Sequence, residues 1–289
     1  MTQSHAPHAE SPSLALFRQA LGHRYEAGEL RAIACLVMKQ AFGVPDIDLY
    51  ADKVRQFSAE EHVRLTEILT RLEKGEPVQY VLGEAQFDGH SFHVMPGVLI
   101  PRPETEELVA WVAADLARSP MASLLDVGTG SGCIAVSLAC RLCRTAVTAW
   151  DISSEALQVA KQNALRHGVT VCFNRQDLFE ASPTGWRQWD AIVSNPPYVC
   201  ETERAEMEAH VLEHEPALAL FVPDEDPLRY YRALARLTHS TLRPGGALYV
   251  EINSRFGNQT AALFEQEGLK RIELRKDAFG ADRFIKARL

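Results

Sequence analysis

The sequence predicts an α/β fold: an open, mostly parallel sheet with an antiparallel edge strand, preceded by a small all-α N-terminal domain. Two observations support this prediction. Apolar residues at helical spacing fill the first part of the chain, and from about residue 122 short apolar runs alternate with helical segments. Such alternation gives a mainly parallel sheet with helices on both faces, because the crossover between parallel strands is usually a helix.

The N-terminal helices are predicted in "SLALFRQALGHRY", in "ELRAIACLVMKQAF" and in the segment that follows Ser58. Ser58 and Glu61 form a capping-box pattern, in which each side chain bonds the backbone N–H of the other residue. Gly75 and Pro77 end this third helix, since neither continues a helical backbone well. The helices contain no cluster of catalytic residues, which is typical of a packing or partner-recognition domain.

A hairpin follows the helical domain. Asp88-Gly89 lies between two strand-like runs in "EAQFDGHSFHV", and this dipeptide favours a tight two-residue turn. We therefore expect four parts: a disordered lead at 1–12, the helical domain at 13–83, a hairpin linker at 84–96 and a catalytic domain at 97–289.

The strands of the main sheet are predicted in the runs "SLLDVG", "TAVTAWDI", "VTVCFNRQD", "WDAIVSN" and "GALYVEI". Helical segments separate the first three runs and precede the last. The tail "LKRIELRKDAFGADRFIKARL" contains two more strand-like stretches around Asp277 to Asp282, which predicts an antiparallel hairpin at the edge of the sheet.

Composition excludes some classes of protein and disfavours others. The 289 residues carry a formal net charge of −8, which disfavours a nucleic-acid partner, although a local basic groove is compatible with it. No apolar run reaches the length of about 18 residues that a membrane helix needs. The first residues lack the cationic start and apolar core of a secretory signal. Six cysteines, mostly within apolar segments, are typical of reduced thiols, so we expect a cytoplasmic protein.

A glycine-rich loop follows the first strand of the sheet in "LLDVGTGSGCIA". Glycines at this point let the backbone turn tightly and approach a ligand, and the loop lacks the lysine of a triphosphate-binding loop. The next strand ends in an aspartate that can bind ribose hydroxyls, and the third ends in "RQDLF" at the same edge. The candidate ligand residues are Gly128, Thr129, Gly130, Ser131, Gly132, Asp151, Asp177 and Leu178.

Structural roles remain open for the two aspartates. Asp151 could be only the cap of the helix that starts near Ser153. Asp177 could be only a turn residue. The glycine loop is harder to explain as a simple turn, because three glycines exceed what a turn needs.

The fourth strand ends in Asn195-Pro196-Pro197-Tyr198, at the same edge of the sheet. An asparagine oxygen and a proline carbonyl can accept the two N–H groups of a planar NH₂. Such acceptors align the nitrogen lone pair and stabilise positive charge that develops on it. The prolines stiffen the loop, and Tyr198 can stack on a flat amide or base. The alternative is a rigid loop with no ligand.

The combination of "DVGTGSG", a following acidic strand end and "NPPY" resembles Rossmann-like class I S-adenosylmethionine-dependent methyltransferases that methylate planar nitrogens. Further segments narrow the resemblance: "GEPVQYVLG", "FDGHSFHV", "GVLIPRPETEELV" and "EPALAL" are similar to the HemK/PrmC-type family. That similarity runs from about residue 14 to the C-terminus.

The resemblance implies methyl transfer from S-adenosylmethionine, with S-adenosylhomocysteine as product, to the glutamine N5 of the Gly-Gly-Gln motif in class-1 peptide chain release factors. It places the glycine loop, Asp151, Leu178 and Asn195 on the cofactor, and Asn195 to Tyr198 on the glutamine. It also implies a helical domain that recognises the protein substrate and puts Arg102 near the site, where a solvated interdomain contact is the alternative. A monomer is expected.

Three other functions stay open at this point. A sister enzyme could methylate a glutamine of a ribosomal protein. An adenine-N6 DNA methyltransferase would need a basic and aromatic target-recognition region, which does not stand out. A non-catalytic module could retain the cofactor fold, although it would not need Asn195 and both prolines.

Two further features were weighed. "FVPDEDP" at Phe221–Pro227 departs from the glycine-rich turn that the family pattern leads one to expect, which leaves the shape of this loop open. His210 and His214 stand four residues apart but lack the His-Glu-x-x-His order of a zinc helix, so no metal is predicted.

Overall fold

The computed structural model describes residues 12–45, 56–119, 121–181 and 188–289. The chain divides into two units, Met1–Gly83 and Glu84–Leu289. The predicted disordered lead at 1–12 lies outside the described residues except for Pro12, where the first helix begins. Within the described ranges, no helix has the length and apolar character that crossing a membrane requires.

The first unit is helical. Ser58 caps the third helix as predicted: its Oγ accepts the Glu61 N–H at 3.2 Å, and the Glu61 carboxylate accepts the Ser58 N–H at 2.9 Å. The helices bury an apolar core that includes Phe17, Leu21, Val37 and Leu72. Their bounds are α1 Pro12–Leu21, α2 Ala27–Phe42, α3 Ala59–Glu73 and α4 Val78–Leu82.

The second unit is built on a seven-stranded sheet of order β10-β11-β9-β6-β3-β4-β5. Its strands are β3 Ser123–Val127, β4 Ala146–Asp151, β5 Val171–Arg175, β6 Trp189–Ser194, β9 Leu242–Glu251, β10 Lys270–Lys276 and β11 Asp282–Arg288. The central strands β5, β4, β3, β6 and β9 pair in parallel, and β11 is antiparallel to both β9 and β10. The predicted sheet and its antiparallel edge are confirmed.

Helices cover both faces of this sheet, and successive residues of a strand face opposite sides. Leu124 packs in the cluster with α5 and α6, whereas Leu125 packs in the cluster with α10 and α11. This is why the strand sequences are apolar throughout. The helices are α5 Thr105–Leu116, α6 Cys133–Arg141, α7 Ser154–Arg166, α8 Ala209–His214, α9 Ala217–Leu220, α10 Arg229–Thr241 and α11 Gly257–Gln266.

The hairpin expected as a linker lies in the second unit and packs there. Its strands β1 Glu84–Phe87 and β2 His90–His93 are joined by Asp88 and Gly89, whose φ angles of 52° and 74° fit the two-residue turn. The Asn163 side chain of α7 accepts the N–H of His93 at 2.7 Å and donates to its carbonyl at 3.0 Å. The hairpin is thereby tied to the sheet-bearing unit.

Candidate active site

A cavity of about 390 Å³ lies at the carboxyl edge of β3, β4, β5 and β6. Parallel α/β sheets bind ligands at this edge. Most of the predicted site residues line the cavity: Arg102, Gly128, Thr129, Gly130, Ser131, Asp151, Asp177, Leu178, Asn195, Pro196 and Pro197. Gly132 and Tyr198 do not.

The glycine loop needs its glycines for two physical reasons. Gly128, Gly130 and Gly132 have φ angles of 75°, 55° and 82°, in the left-handed region that favours glycine. Gly132 also lies against α7, where an added Cβ would come within 2.9 Å of the Ala160 Cβ. The end of the loop is therefore held close against α7, and residues 128–131 line the cavity.

Asp151 connects the glycine loop to the second strand. One carboxylate oxygen accepts the Gly130 N–H at 2.8 Å, and the other accepts the Ser153 N–H at 2.9 Å. The cap of α7 is Ser153, whose hydroxyl accepts the Ala156 N–H at 3.1 Å. Burial raises the pKa of Asp151, and the backbone hydrogen bonds oppose that rise.

Asp126 is a buried carboxylate that sequence reasoning missed. Its Oδ2 accepts the Thr129 hydroxyl at 2.6 Å, while Oδ1 has no hydrogen-bond partner among the described residues. Burial, aided by the charge of Asp151, raises the pKa of Asp126 to about 7. The hydroxyl of Ser131, which lines the cavity, is also without a partner in the described chain. An aspartate inside the apolar run "SLLDVG" was the signal that could have identified this residue.

The third strand leads into a partly aromatic wall. Asp177 accepts the Phe179 N–H at 2.8 Å, so it is a turn residue as well as a cavity residue. The ring centroids of Phe179 and Tyr230 lie 5.0 Å apart, and the Arg229 guanidinium lies 4.6 Å from the Phe179 centroid. Phe179, Arg229 and Tyr230 line the cavity beside Leu178. Sequence reasoning missed these three residues.

Asn195 lies at one end of a hydrogen-bonded chain. Its Nδ2 donates to the Thr105 hydroxyl oxygen at 3.2 Å, and Thr105 donates to Glu251 at 2.7 Å. Neither Thr105 nor Glu251 was predicted as a site residue.

Tyr198 lies outside the cavity lining. Its hydroxyl donates to Glu251 at 3.0 Å, and its ring packs with the apolar cluster that contains α10. Stacking of this ring on the substrate stays a prediction.

Arg102 is held in the cavity wall by an ion pair. Its guanidinium donates to the Glu215 carboxylate at 2.7 Å, and the other oxygen of Glu215 accepts the Ile100 N–H at 3.1 Å. The Glu215 side chain is buried, whereas the side chain of Arg102 is 30% exposed. The "IPRPETE" and "EPALAL" segments therefore meet through this pair.

The loop that departs from the family pattern has a defined shape. Its first residues, β8 Phe221–Val222, pair in parallel with β7 Val199–Cys200, directly after the Asn-Pro-Pro-Tyr segment. Asp224 then accepts hydrogen bonds from the N–H and the hydroxyl of Thr202, at 3.1 and 3.0 Å. This loop, which contains no glycine, thus pairs with the residues that follow the Asn-Pro-Pro-Tyr segment.

In the described ranges, no set of three or more His, Cys, Asp or Glu side chains could bind a metal ion. His210 contacts Glu208 at 3.2 Å, at the start of the short helix α8. All six cysteines are free thiols, and Cys140 and Cys143 form no disulfide.

Comparisons with known proteins agree with this geometry. The sequence matches the family model described as Methyltransferase small domain over residues 108–219 and that described as PrmC N-terminal domain over residues 14–83. A release factor glutamine methyltransferase from Bacteroides thetaiotaomicron is 48% identical over 273 residues, covering 94% of this chain and 98% of that protein. The release factor glutamine methyltransferase of Flavobacterium psychrophilum is 39% identical, covering 93% and 95%.

A solved methyltransferase from Pyrococcus furiosus aligns with a TM-score of 0.51 and 16% identity over 80% of this chain and 98% of that one, a likeness that concerns the fold alone. The two sequence relatives carry more weight, since identity of 39–48% extends over nearly the whole of each chain. The resemblance found in the motifs is confirmed, and the chain belongs to the release factor glutamine methyltransferase family.

Proposed function

We propose that this protein transfers a methyl group from S-adenosylmethionine to the side-chain amide nitrogen of the glutamine in the Gly-Gly-Gln motif of class-1 peptide chain release factors. One observation carries the proposal. Asn195 and Pro196 line the cavity, and in the described part of the chain neither the Asn195 Oδ1 nor the Pro196 carbonyl accepts a hydrogen bond. Two free acceptors at one wall suit the two N–H groups of a primary amide.

The cavity residues fit the methyl donor. The hydroxyl of Ser131, which lines the cavity and has no partner in the described chain, suits the polar amino-acid end of the cofactor, next to the glycine loop. Asp151, Asp177 and Leu178 line the cavity. We expect Asp151 to accept ribose hydroxyls, and Asp177 with Leu178 to form a polar and apolar edge for the adenine. When bound, S-adenosylmethionine supplies an electrophilic methyl group on a sulfonium sulfur.

The chain's own contribution is orientation and charge stabilisation. An amide nitrogen is a weak nucleophile because its lone pair is delocalised into the carbonyl. Asn195 and Pro196 hold both N–H groups, which turns the lone pair towards the methyl carbon for in-line displacement. They also stabilise the positive charge that grows on nitrogen as its bond to carbon forms. One N–H proton then leaves to solvent, so no buried general base is required.

The family of the chain supports a release factor as the protein substrate, since both compared relatives are named release factor glutamine methyltransferase. We expect the helical unit to recognise that substrate, and Arg102 to contact it at the mouth of the cavity. The net charge of −8 suits a protein substrate better than DNA, whose phosphates favour a cationic channel. Because release factors act in translation, we expect the enzyme to work in the cytoplasm, and as a monomer.

Labelled S-adenosylmethionine provides the test. The purified protein is incubated with a release factor, with its Gly-Gly-Gln to Gly-Gly-Ala variant, with ribosomal protein or with DNA. Label is expected in the parent release factor alone. Equal labelling of the alanine variant, or preferential labelling of DNA or ribosomal protein, would refute the proposed substrate.

Two variants test the role of the amide acceptor. Asn195→Ala should reduce kcat by a factor of roughly 10² or more, the loss typical of removing one transition-state hydrogen bond. Asn174→Ala, which removes an exposed asparagine at the end of β5 outside the cavity lining, is the matched control and should behave as the wild type. Full activity of Asn195→Ala would overturn the mechanism.

A further inference from the structure

The two ends of the Asn195 side chain have nearly the same shape but opposite chemistry. The oxygen accepts hydrogen bonds and the NH₂ group donates them. If the oxygen faces the cavity, Asn195 can bind an N–H of the target amide. If the NH₂ group faces it, two donors meet and the target is repelled. Catalysis therefore depends on which end of this one amide faces the cavity.

A single proton on Thr105 decides that orientation. The Thr105 oxygen lies 2.7 Å from Glu251 Oε2 and 3.2 Å from Asn195 Nδ2. An ionised carboxylate only accepts, so Thr105 must donate its one proton to Glu251. Thr105 can then only accept from Asn195, and the group that faces it must be the NH₂. The Asn195 oxygen is thereby directed away from Thr105.

Burial makes this arrangement rigid. Thr105 is 2% exposed and Glu251 is 1% exposed, so water does not compete for their hydrogen bonds. The second oxygen of Glu251 is also occupied, since it accepts the hydroxyl of Tyr198 at 3.0 Å. The two oxygens of Glu251 thus accept from the hydroxyls of Thr105 and Tyr198.

We propose that Thr105 and Glu251 are positioning residues that fix the side-chain amide of Asn195 with its oxygen towards the target nitrogen. The inference rests on the proposed function, because it explains how the amide acceptor of that reaction is held. It assigns a role to Thr105, which lines the cavity, and to Glu251, which lies outside the cavity lining.

The orientation of the Asn195 amide also depends on the charge of Glu251. A protonated Glu251 can donate to the Thr105 oxygen, which frees the Thr105 proton for the Asn195 oxygen and turns the NH₂ group towards the cavity. Burial raises the pKa of Glu251, while the hydrogen bonds from Thr105 and Tyr198 lower it. The titratable and charged groups that act on Glu251 are Glu104, Cys133, Tyr198, Tyr231 and Arg283.

The test compares two substitutions at one position. Thr105→Val keeps the size and removes the hydroxyl, whereas Thr105→Ser keeps the hydroxyl. We expect kcat of the valine variant to fall roughly ten- to a hundredfold, the range for losing one orienting hydrogen bond in a buried polar site, and the serine variant to regain most of it. Calorimetric binding of S-adenosylmethionine should be the same in both. Thr260→Val, at a buried threonine of α11, is the matched control and should keep wild-type kcat.

A double-mutant cycle isolates the proposed connection. If Thr105 acts through Asn195, then Thr105→Val should lower kcat in the wild-type background and have little further effect in an Asn195→Ala background. If Thr105→Val is unstable, Glu251→Gln tests the same orientation of the Asn195 amide. We expect this variant to have a lower kcat, and its kcat should no longer fall at acid pH.

Three outcomes would overturn the inference: equal kcat for the valine and serine variants, a valine effect that persists without the Asn195 amide, or wild-type kcat in Glu251→Gln. These outcomes are separable from failure of the proposed function. If the wild-type enzyme labels a different glutamine protein instead of a release factor, the proposed substrate is wrong, and the same comparison at Thr105 on that protein still decides the inference.

Discussion

The buried carboxyl of Asp126 makes a quantitative prediction about stability. Its pKa is raised from an ordinary 3.8 to about 7, chiefly by burial. The folded protein therefore binds this proton more tightly than the unfolded chain does. The protonated Asp126 therefore stabilises the folded protein. This stabilisation is fully present below about pH 4, declines as the pH rises, and is lost above about pH 7.

The magnitude follows from that shift. A difference of about 3 pKa units at about 1.4 kcal/mol each corresponds to roughly 4 kcal/mol in the free energy of unfolding between acid and neutral pH. Asp126→Asn has nearly the same shape, cannot ionise, and can still accept the Thr129 hydroxyl. Relative to the wild type, the variant should gain up to about 4 kcal/mol at pH 8 and little or nothing at pH 4.

Urea unfolding at a series of pH values, without cofactor, measures this difference. The first unit contains no tryptophan, and Trp111, Trp150 and Trp189 are buried in the second unit, so tryptophan fluorescence reports the unfolding of that unit. Asp190→Asn is a control of opposite sign, because hydrogen bonds from Ser123 and Arg243 outweigh burial and lower the pKa of that carboxyl. The free energy of unfolding of Asp190→Asn should be lower than that of the wild type at neutral pH, and this difference should shrink as the pH falls. If the wild type and Asp126→Asn keep a constant difference between pH 4 and 8, the assignment of a raised pKa is wrong.

Three further predictions concern the loop, the cavity wall and the pH profile. Gly132→Ala should lower the free energy of unfolding in urea by about 1–3 kcal/mol, since the new Cβ would meet the Ala160 Cβ at 2.9 Å. The resulting shift of the loop should also weaken cofactor binding measured by calorimetry. Unchanged binding would contradict the close approach of the loop to the cofactor. Glu215→Gln should raise KM for the release factor and leave cofactor affinity unchanged, because Arg102 loses its ionic partner; an unchanged KM would argue that Arg102 does not contact the substrate. The kcat of the wild type should rise with pH through a pKa above the ordinary carboxylate range, because Glu251 must be ionised; a flat profile down to pH 4 would contradict this.

Features set by neighbouring residues could be predicted from the sequence. The capping box at Ser58 and Glu61 and the turn at Asp88-Gly89 depend on a few adjacent residues, and both occur as predicted. The parallel sheet follows from apolar runs that alternate with helices, and the carboxyl edge of such a sheet brings the glycine loop, Asp151 and Asn195 together. Local chemistry and one topological rule were sufficient for these features.

Features that depend on distant pairs could not be predicted in this way. Thr105 and Glu251 are 146 residues apart, and Arg102 and Glu215 are 113 apart. No spacing rule links positions so far apart, and a threonine in the first turn of a helix has many ordinary explanations. The hydrogen bond of Tyr198 could not be predicted for the same reason, because the carboxylate that accepts from its hydroxyl belongs to a residue 53 positions away.

The "IPRPETE" segment gains a physical role from these long-range contacts. Arg102 forms part of the cavity wall and pairs with Glu215. Three residues later, Thr105 begins α5 and hydrogen-bonds both Asn195 and Glu251. One rigid turn therefore sets the mouth of the cavity and the orientation of the amide acceptor behind it. Arg102 and Thr105 are only three residues apart in this turn. A displacement of the turn would therefore shift both the cavity wall at Arg102 and the hydrogen bond that orients Asn195. If the proposed positioning role holds, the geometry of methyl transfer depends on a segment that supplies no group to the reacting atoms.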